Sequence, residues 1–433
     1  MNSKTDSETM KSLGIFKTPG TRDVIEKSQW VRFRPLGQSL DSSAPVDLFI
    51  PGAGTDYLDL ARSLLEVKLK VINTDGSDML LEDEIGIINN ILHSLWSQID
   101  VYLNTVLMSS SDNYHYTAYF DTLLFNDKSV KDTRLQCQGF FKDTNSVFDT
   151  TLVNVGGNEG LLQRYTLIKL SKECQFSGNV LADVCKTKRF IINGVDLHLR
   201  LWPNKHDLLL VKPESNAKTF KIKILDVAFN ACKVSLKPEV FAAQHSQLFK
   251  TPAIYPYTRT RIQTNIINTG TYQWREDNVF QFERPSRIFI AFVKSTAYSG
   301  SLTKNPFNFL NMKVSSMGLY VDGVSIPNEP MKLNFENEST LDGYHALFTS
   351  LGIDQADHSI DISREDFNYG YAIFSFDLTG SADDAFLVDS RTANIRIECR
   401  FDAATSESIT AVILGHFPDY FEVDATRNII KRK

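Results

Sequence analysis

Cysteine is scarce in this sequence of 433 residues, and its cysteines are not arranged in pairs. The five, Cys137, Cys174, Cys185, Cys232 and Cys399, form no CxxC pair, and none has a histidine at metal-ligand spacing. Their odd number and scattered positions argue against the disulfide framework of a small secreted domain. We therefore expect reduced thiols in a cytosolic or nuclear compartment.

Long apolar stretches are missing as well. No run of 18 apolar residues could form a transmembrane helix, and the opening MNSKTDSETMKSLG lacks the apolar core of a secretory signal. We expect a protein that is not secreted. The net charge of −6 argues against nucleic-acid binding by the bulk of the chain, since such domains are usually basic.

Both ends of the acidic chain are nevertheless basic. Residues 1–40 hold seven Lys and Arg against four Asp and Glu. The last seven residues hold four basic groups and no acid: Arg427, Lys431, Arg432 and Lys433. These residues predict a basic C-terminal tail.

Motifs for catalysis and cofactor binding are absent too. The eight histidines form no HExxH, and His115 between two tyrosines is predicted to be a packed side chain. The glycine-rich VNVGGNEG, residues 153–160, lacks the Lys-Ser/Thr of a phosphate loop and is predicted to be a flexible loop that opens no helix. The acids of LEDEIG and ADDAF flank loops, whereas a glycosidase needs two acids facing across a cleft. We expect no catalytic residue, no metal, no cofactor and no small-molecule substrate.

One dense polar segment needs its own interpretation, ISREDFNYGYAIFSFDLT at residues 362–379. A functional site there would use Arg364, Glu365 and Asp366, but no nucleophile with a base accompanies them. Ser363 with Asp366 three residues later is typical of a helix start. We predict a short capped turn that leads into a core strand.

Aromatic residues and alternating patterns are what the sequence has in abundance. It contains 29 Phe and 15 Tyr, which favour strands. Apolar and polar residues alternate with period two in EVKLKVIN, SQIDVYLN, VDLHLRLW and FKIKILDV, and again in PSRIFIAFV, YAIFSFDLT and ANIRIECRF. This period predicts half-buried antiparallel strands and an all-β fold. The exception is PEVFAAQHSQLFK, residues 238–250, which predicts a short helix or linker.

The two halves of the chain repeat these elements in the same order. The strand–turn–strand pattern around Asn104 returns around Asp322, 218 residues later, and the strand at Leu197 returns at Ile395, 198 residues later. Asp322 and Gly323 form a strong hairpin-turn signal. We predict a β domain duplicated in tandem: an N-terminal arm (1–45), two units (46–240 and 241–426) and the basic tail (427–433). Uneven strand spacing and the long loops 126–160 and 325–345 favour jelly rolls over propellers or up-and-down barrels.

The stretch TKNPFNF, residues 303–309, mixes turn residues with core residues. Pro306 fixes its own φ and pushes Asn305 toward an extended conformation, and Asn305 can bond its own backbone. Phe307 and Phe309 then project to one side and can plug the end of the core. We predict a structural corner of the second jelly roll rather than a ligand-binding loop.

Seven segments, taken in order, resemble the double jelly-roll major capsid proteins of Polinton (Maverick) elements and adintoviruses, with adenovirus hexons and virophage capsid proteins more distant. They are YLDLARSLLEVKLKV, NNILHSLWSQIDVYLN, FIINGVDLHLRL, KNPFNF, LYVDGVSIP, ISREDFNYGYAIFSFDLT and ITAVILGHFPDYFEVDATRNII. The match runs over residues 45–430 and departs at residues 1–44, 126–186 and 380–390. The resemblance implies two tandem jelly-roll β-sandwiches in one chain.

The resemblance also implies a function, a viral major capsid protein without enzymatic activity. Three chains would form a pseudo-hexagonal homotrimer, and such capsomers would tile an icosahedral shell. Implied partners are neighbouring capsomers, penton and minor capsid proteins, with the basic termini meeting the genome or an inner membrane. The protein would be made in the host cytoplasm, assembled there or in the nucleus, and located in the virion capsid. The alternatives are a carbohydrate-binding or adhesive β-sandwich and a glycosidase, and a secreted lectin would carry a signal peptide and paired cysteines.

Overall fold

The computed structural model describes residues 24–35, 40, 44–379 and 392–431. Its strands form where the sequence alternates. In Tyr57–Asn73, for example, Val67, Leu69 and Val71 are buried while Lys68 and Lys70 are partly exposed. Successive side chains of a strand point to opposite faces, so one face of each sheet enters the core.

Twenty strands are described, ten in each half of the chain. The first ten are β1 Ile25–Phe33, β2 Val46–Ile50, β3 Tyr57–Asn73, β4 Gly86–Ile87, β5 Trp96–Leu103, β6 Val106–Asp112, β7 Cys174–Gly178, β8 Leu197–Pro203, β9 Leu210–Val211 and β10 Phe220–Leu236. The second ten are β11 Ala253–Ile267, β12 Gln273–Glu276, β13 Arg287–Lys294, β14 Val314–Val321, β15 Val324–Ser325, β16 Met331–Lys332, β17 Ile373–Asp377, β18 Ile395–Phe401, β19 Ile409–Val423 and β20 Ile429–Lys431.

Each half builds two antiparallel sheets in the same strand order. The first half has β1-β10-β3-β7 and β2-β8-β5-β6, with β4 and β9 pairing separately. The second half has β11-β19-β13-β17 and β12-β18-β14-β15, with β20 added to β19 and β16 to β14. Without the short extra strands, both halves follow one pattern in which the first strand pairs with the last. Eight strands in this order make a jelly roll, so the predicted fold class of two tandem jelly rolls is confirmed.

Equivalent strand pairs show the duplication directly. In the first roll, Leu103 pairs with both Val106 and Leu197. In the second roll, Val321 pairs with both Val324 and Ile395. The turn between Val321 and Val324 is formed by Asp322 and Gly323, whose φ values of 51° and 87° are typical of a type I′ hairpin.

Helices fill the connections between strands. They are α1 Ile91–Ser94, α2 Tyr114–Leu124, α3 Lys128–Lys131, α4 Glu159–Ile168, α5 His206–Leu209, α6 Pro238–Leu248, α7 Ser295–Ser299, α8 Leu341–Leu351 and α9 Arg364–Asn368. Helices α2 and α8 follow the equivalent hairpins of the two rolls, and α6 links the rolls with Pro238 in its first turn.

One loop prediction is wrong. The glycine-rich stretch at residues 153–160 does open a helix, because Asn158 caps α4 by accepting a hydrogen bond from the backbone N–H of Leu161 at 3.2 Å. Asparagine is a strong N-cap residue, so this stretch marks a helix start.

The ends of the chain also differ from the prediction. Strand β1 lies within the expected arm, yet it pairs with β10 from Phe33–Phe229 to Ile25–Leu236 and is the first strand of the first roll. That roll therefore begins near Ile25 and not at residue 46. Strand β20, in the expected basic tail outside the second roll, pairs with β19. Residues 1–23, the ADDAF stretch, Arg432 and Lys433 lie outside the described residues.

The two rolls share a continuous core. A cluster of buried apolar side chains extends from Val46 in the first roll to Ile429 beyond the second. The position of the two rolls relative to each other therefore depends on the residues that join them.

Within the described ranges, no helix is long and apolar enough to cross a membrane.

Candidate functional site

The rolls meet along a buried seam. We define the seam as α2 and residues 140–149 of the first roll together with residues 298–309 and 361–371 of the second. At its centre the rings of Tyr119 and Phe307 stack, with centroids 4.0 Å apart and planes 13° apart. Phe120 stacks on Phe309 at 5.1 Å. Aromatic pairs of this kind add to the energy of apolar burial, so the seam holds the rolls together.

The TKNPFNF stretch supplies the second roll's side of the seam. The side chain of Asn305 accepts a hydrogen bond from the backbone N–H of Phe307 at 3.0 Å, which holds the turn. The backbone N–H of Asn305 donates to Asp149 of the first roll at 2.9 Å. Pro306, Phe307 and Phe309 are buried. The two rings pack against the first roll's helix rather than only closing the end of the second core, which differs from the predicted corner.

A polar network crosses the seam beside these rings. Lys142 of the first roll donates to Asp361 at 3.2 Å and to Asp366 at 2.8 Å, and Asn145 also donates to Asp366. Asp366 closes the capping box of α9 with Ser363, as the sequence predicts. Burial opposes ionisation of Asp366, but the hydrogen bonds from Lys142 and from the backbone N–H of Ser363 outweigh it and lower its pKa.

A fully buried ion pair supports the network from within the first roll. Arg164 donates to Asp143 at 2.7 Å, and the two side chains are 1% and 0% exposed. Arg164 also donates to the backbone carbonyls of Ile87 and Phe141. The hydroxyl of Tyr371, from the second roll, donates to the carbonyl of Asp143 at 2.7 Å. The pair therefore fixes the segment on which the second roll rests.

Glycine is required where the backbones approach most closely. Gly370 has φ of 113°, and a Cβ there would lie 2.2 Å from the ring of Phe148. The same ring packs edge-on against Tyr371 at 4.9 Å. The backbone N–H of Ser146 donates to the carbonyl of Tyr369 at 3.1 Å. Residues 140–149, which belong to the predicted long loop 126–160, are thus an internal joint.

The C-terminal segment closes the other end of the contact between rolls. Arg427 donates to the backbone and side-chain oxygens of Asn193 at 2.7 and 3.0 Å, and Asn104 donates to the carbonyl of Arg427. Lys431 donates to the carbonyl of Met108 at 3.3 Å. Two of the four basic groups of the predicted C-terminal tail therefore bind the first roll.

The histidines nearest the seam are packing residues. His93 and His115 are buried, and burial lowers the pKa of His93 to about 4 and that of His115 to about 3. His93 contacts the hydroxyl of Tyr114 at 2.9 Å. Neutral rings in aromatic surroundings agree with the predicted packing role of His115. Among the residues that the structure describes, no group of three His, Cys, Asp or Glu could hold a metal ion.

The five cysteines are unpaired in the structure. Burial raises the pKa of Cys174 to about 11 and that of Cys185 to about 12, so these thiols stay protonated at neutral pH. Cys137 alone among the five is exposed.

Exposed apolar side chains mark candidate contact surfaces. Leu81 and Val155 are 71% and 79% exposed, and their neighbours Leu80 and Leu152 are also exposed. The two loops lie together, because Asn154 donates to Glu84 at 2.6 Å. Apolar groups clustered in this way are typical of surfaces that bind another protein.

Sequence reasoning missed most of the seam. Tyr119, Lys142, Asp143 and Arg164 belong to segments that were interpreted as loops or were not singled out. The aromatic density of YHYTAYF in α2 was the available signal, since three Tyr rings, one Phe ring and the His115 imidazole on an 11-residue helix exceed what one face can bury against its own roll.

Known proteins resemble this chain more clearly in fold than in sequence. No family model matches the chain. An uncharacterized protein of Caenorhabditis elegans is 26% identical over 426 residues, covering 95% of this chain and 99% of that protein.

Similar solved structures come from viruses. A chain of the Sputnik virophage, solved by cryo-EM, matches with a TM-score of 0.66 at 8% identity over 100% of this chain and 92% of that chain. The Faustovirus major capsid protein matches with 0.57 at 7% identity over 93% and 92%. The mavirus major capsid protein matches with 0.55 at 10% identity over 100% and 95%. At these identities the likeness shows the fold, and the chain has the double jelly-roll fold of these viral major capsid proteins.

Proposed function

We propose that the protein is a viral major capsid protein whose function is self-assembly. One observation carries the proposal: two rolls of identical strand order are fused by a buried seam into one unit, which matches viral capsid proteins over its whole length. A rigid two-roll unit is what a shell needs as a building block. Assembly requires complementary surfaces and no chemistry, which agrees with the packing roles of the buried histidines.

The proposed assembly is a homotrimer with a pseudo-hexagonal outline. Two rolls of the same topology in each chain become six similar rolls around a threefold axis. Such an object can pack with six neighbours and tile an icosahedral shell. The exposed loops with Leu81 and Val155 offer apolar area for contacts between chains. Interfaces of permanent assemblies bury about 2,000 Å² or more.

The seven-segment resemblance supports membership of the Polinton and adintovirus capsid group. The similarity to a nematode protein over nearly full length also supports this assignment, because it places a related chain in an animal. The protein would then be a virion component or the product of a captured viral gene.

The proposed partners are other capsomers, penton proteins and minor capsid proteins. Contact of the basic termini with the genome or an inner membrane depends on fewer charges than the sequence suggests, since Arg427 and Lys431 already bind the first roll. The proposed location is the virion capsid, after synthesis in the host cytoplasm and assembly there or in the nucleus.

Sedimentation of the purified full-length protein tests the proposal. We expect a species of three times the 49.0 kDa chain mass. The comparison is a glycan-binding screen on the same preparation. A stable monomer that binds glycans would favour the adhesive β-sandwich and contradict the capsid proposal.

A further inference from the structure

An apolar groove lies where the first roll, α6 and the start of β11 meet. Its volume is about 630 Å³, within the range of about 300–1,000 Å³ that is usual for small-molecule sites. The buried side chains Tyr57, Leu236, Leu248 and Tyr255 belong to its lining. The hydroxyl of Tyr255 is already satisfied, because it donates to the carbonyl of Phe190 and accepts from the N–H of Ile192. These deep lining groups therefore favour an apolar ligand.

The rim of the groove is also apolar and is exposed. Val24, Ile25 and Ile254 line it with 45%, 42% and 45% of their surface accessible. Phe249, which follows the lining residue Leu248 and packs edge-on against His245, is exposed as well. Large apolar groups around a concave surface are stabilised when an apolar ligand covers them.

Among the residues that the structure describes, the charged groups that line the groove can all carry positive charge. They are Lys188, Arg189, His245 and Arg427, and no described Asp or Glu lines it. This contrasts with the net charge of −6 of the whole chain. The guanidinium of Arg427 already donates hydrogen bonds to Asn193, and one nitrogen of Arg189 donates to the carbonyl of Ile254. The ammonium of Lys188 is exposed and forms no ion pair or hydrogen bond with the described part of the chain.

We propose that this groove binds one free long-chain fatty acid. The alkyl chain lies along Tyr57, Leu248 and Ile254, and the carboxylate is held by Lys188 and the remaining donors of Arg189. A ligand with an anionic head group and an apolar body fits this groove, because its buried lining is apolar and its described charged lining residues are basic. Residues 1–23 fit it less well, because their four basic and three acidic groups give no complementary charge.

Displacement of a fluorescent fatty acid by palmitate tests the proposal on the purified, delipidated full-length protein. We expect saturable binding at one site. Ile254→Asp should weaken palmitate binding at least about tenfold, since it places a carboxylate beside the alkyl chain. The matched control is Ile266→Asp, an exposed isoleucine at the other end of the same strand, which should bind as the wild type does.

A second pair of variants tests the head-group contact. Lys188→Glu should weaken palmitate about five- to tenfold but leave hexadecanol, which has no carboxylate, unchanged. Lys172→Glu, at another exposed lysine, should change neither. The assay uses soluble protein and does not depend on assembly, so its failure would leave the proposed function untouched.

Three results would overturn the proposal. One is the absence of saturable displacement in the wild type, including the case in which the protein binds only anionic vesicles. Another is equal binding by the Ile254→Asp and Ile266→Asp proteins. The third is binding that appears only after residues 1–23 are deleted, which would assign the groove to that segment.

Discussion

The ring of Phe307 in the second jelly roll stacks on the ring of Tyr119 in the first, with centroids 4.0 Å apart. Both rings are fully buried. The contact lies at the centre of the seam and joins two segments that are 188 positions apart in the chain. It makes the two rolls one packing unit, so their relative position is set by core packing and not only by the linker α6.

Replacing either seam phenylalanine should destabilise the whole chain. Phe307→Ala and Phe309→Ala should each lower the free energy of unfolding by about 3–5 kcal/mol, because each leaves a cavity between the rolls. Denaturant titration measures the change, and calorimetry should show one transition of the wild type becoming two. The control is Phe282→Ala at an exposed ring. Unchanged stability of both seam variants would contradict the joint.

Removing one partner of the buried ion pair of Arg164 and Asp143 should destabilise the folded protein. Arg164→Leu should lower the free energy of unfolding by about 3–5 kcal/mol, because it leaves the carboxylate of Asp143 buried without a counter-charge. Adding Asp143→Asn should recover part of the loss. Denaturant titration of Arg164→Leu, Asp143→Asn and the double variant is the measurement, with the exposed Arg134→Leu as control. A double variant as unstable as the sum of the two single changes would argue against the pairing.

Buried neutral histidine should make the protein less stable in mild acid. The pKa of His115 is about 3 in the folded chain and about 6.5 in the unfolded chain. Between these values the unfolded chain binds one more proton at this ring, so His115 alone lowers stability by about 1.4 kcal/mol per pH unit as pH drops below about 6.5. His115→Phe should reduce this slope by about one proton, while Phe282→Ala, which removes no ionisable group, should not. Equal slopes in the wild type and in His115→Phe would show that His115 titrates normally.

The C-terminal segment should contribute to the stability of the folded protein as well as to its surface charge. Arg427→Ala removes the hydrogen bonds to Asn193 and should lower the free energy of unfolding by about 1–3 kcal/mol. Lys172→Ala, at an exposed lysine, should have no effect. Thermal unfolding of the isolated protein makes the comparison. If Arg427→Ala changed only assembly and left unfolding unchanged, the segment would be a free tail after all.

Many of the strands, among them β3, β5, β8 and β13, and the duplicated order of the rolls could be predicted from the sequence, because period-two alternation and hairpin turns are local signals. The turn held by the side chain of Asn305 and the capping box of Ser363 could be predicted for the same reason, because each depends on residues two or three positions apart. The contacts of Tyr119 with Phe307 and of Lys142 with Asp366 could not be predicted, because a local sequence pattern does not indicate which distant surfaces pack together. Strand β1 was missed because it is an edge strand in which none of the nine residues is fully buried, so it lacks a clear apolar face.

We propose that the two-roll chain is the unit of a threefold capsomer. Electron microscopy of the purified full-length protein, with classification of single particles, tests this most directly. We predict threefold particles with a hexagonal outline and six similar lobes, or shells built from them. A field of dispersed single chains with two lobes each, at concentrations where capsid proteins assemble, would contradict it.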